Sequence, residues 1–388
     1  MDFELSDADR LIQLTARRVA HDVVKPRAAE VDATATYPQD YFEAFRDAGL
    51  LGITLPREVG GADAGTVALA LAVEEMSRYD CSAGLMLLLS SLSTHPVKLF
   101  GTPQQQERYI GPVARGELKA AFCLTEPDAG SDVAGMRSRA VRDGDEYVIS
   151  GQKSYISAGP VADQLVVFAK TDPQAGGRGI SAFIVDTSTS GFEVTSIDRK
   201  MGVRGVPTGT LTFDQVRVPA ENLIGEEGRG QRIALATLNS LRPVVGARGV
   251  GLAEGALAYA LEYARHREVF GGPLTEVQAI QMKLAEMAIE IEAARLLVLQ
   301  GCWLIDGGRF GPAEGHMLSI AKAYATEMAN RVASEAIQIL GAQGYMQDHP
   351  LERLYRDARQ LMIVEGTSEI QRVVIARALL DSNLAYPY

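Results

Sequence analysis

The segment Phe122-Cys-Leu-Thr-Glu-Pro-Asp-Ala-Gly-Ser-Asp132 separates two kinds of sequence. Before it the chain is rich in Ala and Leu, and the apolar runs at 67–77 and 82–91 predict buried helices. After it come short β-type runs separated by Gly, Asp and Pro turns at hairpin-like spacing. Because no helix lies between these runs, an antiparallel barrel or sandwich is expected rather than a parallel crossover sheet.

A second helical region follows the strands from about Gln231. Apolar residues recur there at three- and four-residue intervals and predict a bundle built from residues 249–265, 278–305, 316–340 and 368–380. We therefore predict an α+β multidomain chain. Its parts are an N-terminal α-helical domain (1–120), a middle antiparallel β-barrel domain (121–232) and a C-terminal four-helix bundle (233–388).

Composition excludes several classes of protein. The 388 residues include 38 Lys and Arg against 49 Asp and Glu, so the net charge is −11, and the mean hydropathy is +0.01. This balance is typical of a globular protein, and its sign argues against binding to nucleic acid or to an anionic membrane. The longest uncharged run, residues 81–97, contains Ser, Thr, His95 and Pro96, which favours a buried helix over a membrane span.

Cysteine and histidine usage indicates neither a disulfide framework nor a metal site. Cys81, Cys123 and Cys302 are far apart, and the five histidines show no ligand spacing. The acidic N-terminus lacks the basic and apolar regions of a signal peptide and the Arg/Ser bias of a transit peptide. A cytoplasmic location is therefore expected.

One glycine pattern is interpreted as structural. Gly249-Val-Gly-Leu-Ala-Glu-Gly255 matches the letters of a dinucleotide fingerprint, but no strand precedes it. Small residues that allow close helix packing explain it better.

Two loops at the block junctions carry candidate chemistry. The 122–132 segment turns through Pro127 and Gly130, and it could present N–H groups and hydroxyls to an anion or a heterocycle, or it could be an ordinary turn. In Ile363-Val-Glu-Gly-Thr-Ser-Glu-Ile-Gln371, Glu365 lies between apolar residues and a glycine. An apolar pocket would raise the pKa of Glu365 and make it a stronger base. The alternative is a helix-start glutamate stabilised by the helix dipole.

Together these loops and four further segments identify a family. The chain resembles the acyl-CoA dehydrogenases over nearly its whole length. The segments that carry the resemblance are Leu124-Thr-Glu-Pro-Asp-Ala-Gly-Ser-Asp132, Ser150-Gly-Gln-Lys-Ser-Tyr-Ile-Ser157, Met201-Gly-Val-Arg-Gly205, residues 267–271 (REVFG), Gln338-Ile-Leu-Gly-Ala-Gln-Gly-Tyr345 and Val364-Glu-Gly-Thr-Ser-Glu-Ile-Gln371. The resemblance implies a helical bundle, β-barrel, helical bundle subunit, a homotetramer, and FAD held without a Rossmann fold.

The resemblance also implies a reaction. The family oxidises an acyl-CoA thioester at Cα–Cβ to the trans-2-enoyl thioester, and Glu365 matches the base that removes the α-proton. Some members place the base on another helix, but the matching residue here is Leu241, which cannot take a proton. Arg242 matches an arginine beside the base and the thioester, Asn239 stands where many members have Asp, and Gly366 allows close approach of the thioester.

The cofactor contacts follow from the same resemblance. Residues that match FAD-binding positions in the subunit are Phe122, Leu124, Thr125, Ser131, Tyr155, Ile156 and Ser157, and Ser131 also matches a position near the CoA chain. Residues that match contacts to the FAD of a neighbouring subunit are Arg267, Phe270 and Gln278. The remaining pyrophosphate and adenosine positions are matched by Gln338, Leu340, Gly341, Thr367 and Glu369.

Alternatives and partners remain open at this level. A flavin monooxygenase of the same superfamily would not need Glu365, and a non-catalytic helical assembly protein would bind no flavin. The sequence does not specify the acyl group, although the use of Glu365 as the base favours short and medium chains. The thioester could be carried by CoA or by a carrier protein. An electron-transfer flavoprotein is the expected acceptor, and no metal or nucleic acid is expected.

Overall fold

The structure is a computed structural model that describes residues 4–311 and 313–381. The outermost residues of the two predicted terminal domains, 1–3 and 382–388, therefore lie outside the described residues. The N-terminal part is helical, as predicted. Its helices are α1 (Asp7–Val19), α2 (Lys25–Thr34), α3 (Gln39–Asp47), α4 (Gly65–Ser77), α5 (Cys81–Phe100), α6 (Pro103–Gln105) and α7 (Gly111–Ala114).

Helix ends in this part follow from capping residues. Ser6 begins α1 by accepting a hydrogen bond from the N–H of Asp9 at 3.1 Å. Asp80 begins α5 in the same way, with the N–H of Ser82 at 2.8 Å. Thr102 and Gln105 form a reciprocal capping box around Pro103. The α5 residues from Cys81 to Val97 are all buried, so this helix forms the centre of the N-terminal core.

A seven-stranded curled sheet forms the middle part. Its strands are β1 (Ala120–Cys123), β2 (Arg139–Asp143), β3 (Glu146–Ser157), β4 (Gln164–Lys170), β5 (Ile180–Asp186), β6 (Phe192–Ile197) and β7 (Thr208–Pro219). The spatial order is β1-β4-β2-β3-β7-β6, with β5 on β4. Most pairs are antiparallel, as predicted, but β4 runs parallel to both β1 and β2. The β2–β3 hairpin lies between β1 and β4 in sequence, so it supplies the long connection that a helix usually provides.

The C-terminal part is again helical. Its elements are α8 (Gly230–His266), the short hairpin β8 (Glu268–Val269) and β9 (Gly272–Pro273), α9 (Gln278–Asp306), α10 (Gly315–Leu340), α11 (Leu351–Leu361) and α12 (Ser368–Leu380). Helices α8, α9 and α10 pack against one another and α12 packs on α10. The sequence analysis missed α11, although Leu351, Leu354 and Leu361 are buried on one face of it at helical spacing.

Helix α8 contains the rejected dinucleotide pattern. A Cβ atom on Gly251 or Gly255 would lie 2.1 or 2.0 Å from a backbone oxygen of α4 or of the residue that follows it, so these glycines allow close packing, as predicted. By length and composition α8 could cross a membrane, but 67% of its most apolar window is buried within the protein, as in a core helix. Among the described residues no group of three or more His, Cys, Asp or Glu side chains could hold a metal ion.

Candidate active site

The turn between α11 and α12 holds Glu365 in a strained backbone conformation. The carbonyl of Gln360 accepts hydrogen bonds from the N–H groups of Ile363 and Val364, which extends α11 by one turn. Glu365 and Gly366 then adopt left-handed φ angles of 53° and 92°. A left-handed residue other than glycine costs about 1–3 kcal/mol and is found disproportionately at functional sites. Thr367 begins α12 by accepting from the N–H of Ile370 at 3.3 Å.

Glu365 is a half-buried residue, and one oxygen of its carboxylate lacks a hydrogen-bond partner. Its Oε2 atom is buried and accepts no hydrogen bond. Burial raises the pKa of Glu365 to about 7, and the positive charges of Arg248, Lys322 and Arg242 act in the opposite direction. Near neutral pH this side chain is therefore poised to take up a proton.

Three buried cations lie around this carboxylate. Arg242, which the sequence analysis placed here, donates from Nη1 to the Ser319 hydroxyl at 3.0 Å. The Lys322 ammonium donates to the Gly366 carbonyl at 2.8 Å, and burial lowers the pKa of Lys322 to about 8. Burial also lowers the pKa of Arg242, to about 10. The Gly366 carbonyl accepts a second hydrogen bond from Gln371 at 2.9 Å, so two donors fix the backbone directly after Glu365.

The sequence analysis missed Arg248 and Lys322. Each is a single charge within an otherwise apolar helical run, VVGARGVGLA on α8 and LSIAKAYA on α10. A lone buried charge in such a run is a signal of a functional or paired site. Both side chains are fully buried.

A second cluster joins the two predicted flavin-contacting segments. The N–H of Ser154 donates to the Thr125 carbonyl at 2.9 Å, which sets the two loops side by side. Lys153, which is fully buried, donates to the Leu124 carbonyl at 3.2 Å and to Glu126 Oε1 at 2.7 Å. The Glu126 carboxylate also accepts hydrogen bonds from the backbone N–H groups of residues 137 and 138, at 2.5 and 3.1 Å.

This cluster presents an exposed aromatic ring. A bulge in the β3–β7 pairing lies between Lys153 and Ile156, and Tyr155 there has a φ of 59° with 67% of its surface exposed. A bulge re-aims a side chain away from the sheet, and such a ring suits the face of a flat heterocycle. Ile156 is buried and Ser157 is half-buried beside it. The residues present therefore fit a flavin ring.

The predicted flavin-contacting segments and the Glu365 turn border the same apolar core. Phe122 on β1, Ala158 after β3 and Val364 all pack against the cluster that includes Leu85 and Leu88 of α5. Phe122 also packs on Phe168, with ring centroids 5.0 Å apart. The cluster thus connects residues next to the predicted base with residues of the predicted flavin-contacting segments.

The remaining predicted site residues are distributed as follows. Thr367 and Glu369 flank the start of α12, Asn239 is half-buried on α8 three residues before Arg242, and Leu124 is buried while Ser131 is exposed. The residues predicted to contact a neighbouring subunit's FAD, Arg267, Phe270 and Gln278, are all exposed. Of the residues predicted to contact the pyrophosphate and adenosine, Gln338 and Gly341 are exposed and Leu340 is buried. Phe270 is fully exposed at the tip of the β8–β9 hairpin with a φ of 51°.

Family models match all three parts of the chain. The N-terminal, middle and C-terminal domain models of acyl-CoA dehydrogenase match residues 6–117, 121–216 and 228–380. The chain belongs to the acyl-CoA dehydrogenase family. It is therefore a flavoprotein oxidoreductase of a family that carries out FAD-dependent dehydrogenation of acyl-CoA.

Individual relatives of this acyl-CoA dehydrogenase agree with that assignment. It is 43% identical to the probable acyl-CoA dehydrogenase YngJ of Bacillus subtilis, covering 98% of this chain and 100% of that one. It is 40% identical to cyclohexane-1-carbonyl-CoA dehydrogenase of Geobacter metallireducens, covering 97% and 99%. The structure of butyryl-CoA dehydrogenase from Megasphaera elsdenii superposes with a TM-score of 0.95 at 38% identity, covering 98% and 100%.

Proposed function

We propose that Glu365 is the base that removes the α-proton of a bound acyl-CoA thioester. The observation that carries this proposal is the buried Oε2 atom of Glu365, which has no hydrogen-bond partner and belongs to a carboxyl group with a pKa raised to about 7 by burial. A base with a pKa near the working pH combines a useful ionised fraction with a strong drive to accept a proton. FAD, when bound, takes up the hydride that leaves Cβ.

The N–H of Glu365 is the proposed donor to the thioester carbonyl. Among residues 4–311 and 313–381, this N–H donates to no backbone carbonyl and to no side chain. An α-proton is a weak acid, so a donor must stabilise the negative charge that develops on the carbonyl oxygen. Lys322 and Gln371 hold the next carbonyl in place, and they position the Glu365–Gly366 backbone for this contact. Asn239, Arg242 and Ser131 are the remaining proposed substrate contacts.

The cofactor residues are proposed to act in two groups. Phe122, Leu124, Thr125, Ser131 and residues 155–157 would hold the flavin ring within one subunit, with the Tyr155 ring packed on it and the Ser157 hydroxyl near its N5. Arg267, Phe270 and Gln278 would reach the FAD of a neighbouring subunit, and Gln338, Leu340, Gly341, Thr367 and Glu369 would contact the pyrophosphate and adenosine.

A homotetramer is the proposed assembly. Helix α9 carries large apolar side chains at seven-residue intervals on its exposed face: Met282, Ile289, Leu296 and Trp303, each 51–67% exposed. A heptad stripe of this kind is typical of a helix that packs against another helix. An electron-transfer flavoprotein as acceptor and a cytoplasmic location are parts of the same proposal.

Anaerobic flavin bleaching tests the reaction. The FAD-loaded enzyme is mixed with a panel of acyl-CoA thioesters that differ in chain length and in polar substituents, and the visible flavin absorbance is followed. Rapid bleaching by at least one thioester, with the trans-2-enoyl product found by mass spectrometry, is expected for wild type and not for Glu365→Gln. Equal bleaching by both enzymes would contradict the role of Glu365. Bleaching by no thioester would contradict the proposed reaction.

A further inference from the structure

Arg248 is a buried cation whose hydrogen bonds are incomplete. It is the largest fully buried side chain among the described residues. Its Nη2 atom donates to Gln360 Oε1 at 3.0 Å and lies 3.4 Å from the carbonyl oxygen and the sulfur of Cys81. Its Nε and Nη1 atoms are buried and have no partner. These two nitrogens carry three of the five guanidinium N–H groups.

No carboxylate pairs with Arg248 at salt-bridge distance. Among residues 4–311 and 313–381, Arg248 forms no ion pair, whereas Arg295, Arg356 and Lys153 each pair with at least one glutamate. The Glu365 carboxylate interacts with Arg248 electrostatically, but no hydrogen bond joins the two side chains. A buried guanidinium with unused donors is destabilising unless a ligand satisfies them.

The position of Arg248 relative to Glu365 indicates which part of a bound substrate could satisfy its unused N–H groups. Gln360 lies on the last turn of α11, and its carbonyl holds the N–H groups of residues 363 and 364 directly before Glu365. Cys81 is the first residue of α5, a helix whose Leu85 and Leu88 belong to the same core cluster that Val364 borders. The Arg248 guanidinium thus lies between the base and the start of α5. An acyl group whose Cα meets Glu365 and whose chain runs toward the start of α5 would bring its far end to the Arg248 guanidinium.

We propose that Arg248 is a specificity-determining residue that binds a carboxylate at the distal end of the acyl group, so that the preferred substrates are short thioesters of dicarboxylic acids. This inference rests on the proposed function of Glu365. A guanidinium with free donors forms a bidentate, charge-assisted pair with a carboxylate, and this pair fills the hydrogen bonds that the apolar acyl chain leaves empty. A site with such donors rejects an analogue that lacks the acceptor more strongly than an apolar pocket rejects a change in size.

Paired ligands test this inference without depending on turnover. Straight-chain acyl-CoA thioesters and thioesters of the same chain length that end in a carboxylate are titrated calorimetrically into FAD-loaded Glu365→Gln, alone and combined with Arg248→Met or Arg248→Gln. The same pairs are used for flavin reduction in enzymes that retain Glu365. The control is Arg353→Met, because Arg353 is also a buried arginine with an unpartnered Nε, held by the Tyr79 carbonyl at the other end of α11.

The expected result is a preference for the carboxylate member of a pair by about 10- to 100-fold in affinity and in kcat/KM. Arg248→Met abolishes or reverses this preference and improves use of the apolar member, Arg248→Gln retains a small part of it, and Arg353→Met leaves it unchanged. FAD content and unfolding temperature are measured for each variant to establish that it is folded. A ratio that is the same in wild type and both Arg248 variants overturns the inference. If the carboxylate thioesters bind with the expected preference but no thioester reduces the flavin, the proposed function is overturned and the role of Arg248 in binding is kept.

Discussion

Glu126 is a buried glutamate and Glu365 is a half-buried one with a buried Oε2 atom, and the environments of the two carboxylates are opposite. Glu126 accepts hydrogen bonds from Lys153 and from two backbone N–H groups. Burial acts to raise the pKa of Glu126, but Lys153 and the hydrogen bonds outweigh it and hold this pKa below its ordinary value. Glu365 has a buried oxygen without a partner, and burial raises its pKa to about 7 despite three cations nearby.

The comparison shows how one residue type serves two purposes. Direct donors keep Glu126 ionised, so it remains a fixed anion that ties the two predicted flavin-contacting segments together. Cations that act on Glu365 without donating to its Oε2 atom moderate the effect of burial, so its proton affinity stays near the working range. In this pair, the donors to Glu126 and the missing donor at the Glu365 Oε2 atom accompany opposite directions of pKa shift.

The largest expected effect is on catalysis. Glu365→Gln keeps the size and hydrogen-bonding capacity of the side chain but removes the base, so the rate of flavin reduction by acyl-CoA falls by about 10²- to 10⁴-fold or more. Stopped-flow absorbance under anaerobic conditions measures this rate, and FAD content shows that the fold is kept. Flavin reduction within a few-fold of wild type would remove the contrast between the two glutamates.

Lys153→Met is expected to have the largest effect on stability. It leaves Glu126 buried with one charge partner removed, which should lower the free energy of unfolding by about 3–5 kcal/mol and weaken FAD retention. Urea denaturation and the flavin-to-protein absorbance ratio measure the two effects. Arg115→Met, which breaks an exposed pair with Glu117, is the matched control and should change neither. Equal effects of the two variants would mean that the Glu126 pair has no special structural role.

The pH dependence of stability should have opposite signs for the two glutamates. The pKa of Glu365 is raised in the folded state, so the wild type loses free energy of unfolding at this site as pH rises from about 4.5 to about 7. Above pH 7 the free energy of unfolding of Glu365→Gln should therefore exceed that of wild type by up to about 3 kcal/mol more than it does at low pH. The pKa of Glu126 is lowered, so its stabilisation is present at higher pH and is lost as pH falls below about 4.5. Denaturation of both glutamine variants across pH measures this. A Glu365→Gln difference that does not depend on pH would contradict the raised pKa.

The smallest expected effect concerns assembly. Leu296→Glu places a charge in the exposed apolar stripe of α9 and should shift the proposed tetramer toward smaller species, with FAD binding weakened about tenfold. Arg267→Ala should weaken FAD retention and tetramerisation as well. Light scattering and fluorescence titration of FAD measure these changes. Glu292→Gln, a substitution on the same exposed surface that adds no charge, should leave the mass unchanged; an unchanged mass for Leu296→Glu would exclude α9 from the interface.

The sequence predicts the helix, strand, helix order because each block has a strong local pattern. Buried residues of α5 and the capping of α12 by Thr367 are set by neighbours within one or two turns. The parallel pairs of β4 were missed because strand pairing depends on contacts distant in sequence. Helix α11 was missed although its apolar spacing was available.

The candidate-site residues differ in the same way, because some are specified by neighbours in sequence and others only by long-range packing. Glu365 could be predicted as the base because its motif is contiguous, and its placement in an apolar turn follows from adjacent residues. Arg248 and Lys322 reach it from α8 and α10, and their convergence depends on how these helices pack around the turn. The strained φ angles of Glu365, Tyr155 and Phe270 likewise have no local signal, since none of these residues prefers the left-handed region.

The pH dependence of the first flavin reduction most directly tests the claim that burial prepares Glu365 as a base. At acyl-CoA concentrations well below KM, where the rate reports the free enzyme, it should rise about tenfold per pH unit below about 7 and level off above it. Glu365→Gln should show a low rate that is flat across the same range. A wild-type profile that is flat from about pH 5 to 8, or one that persists in Glu365→Gln, would contradict the account.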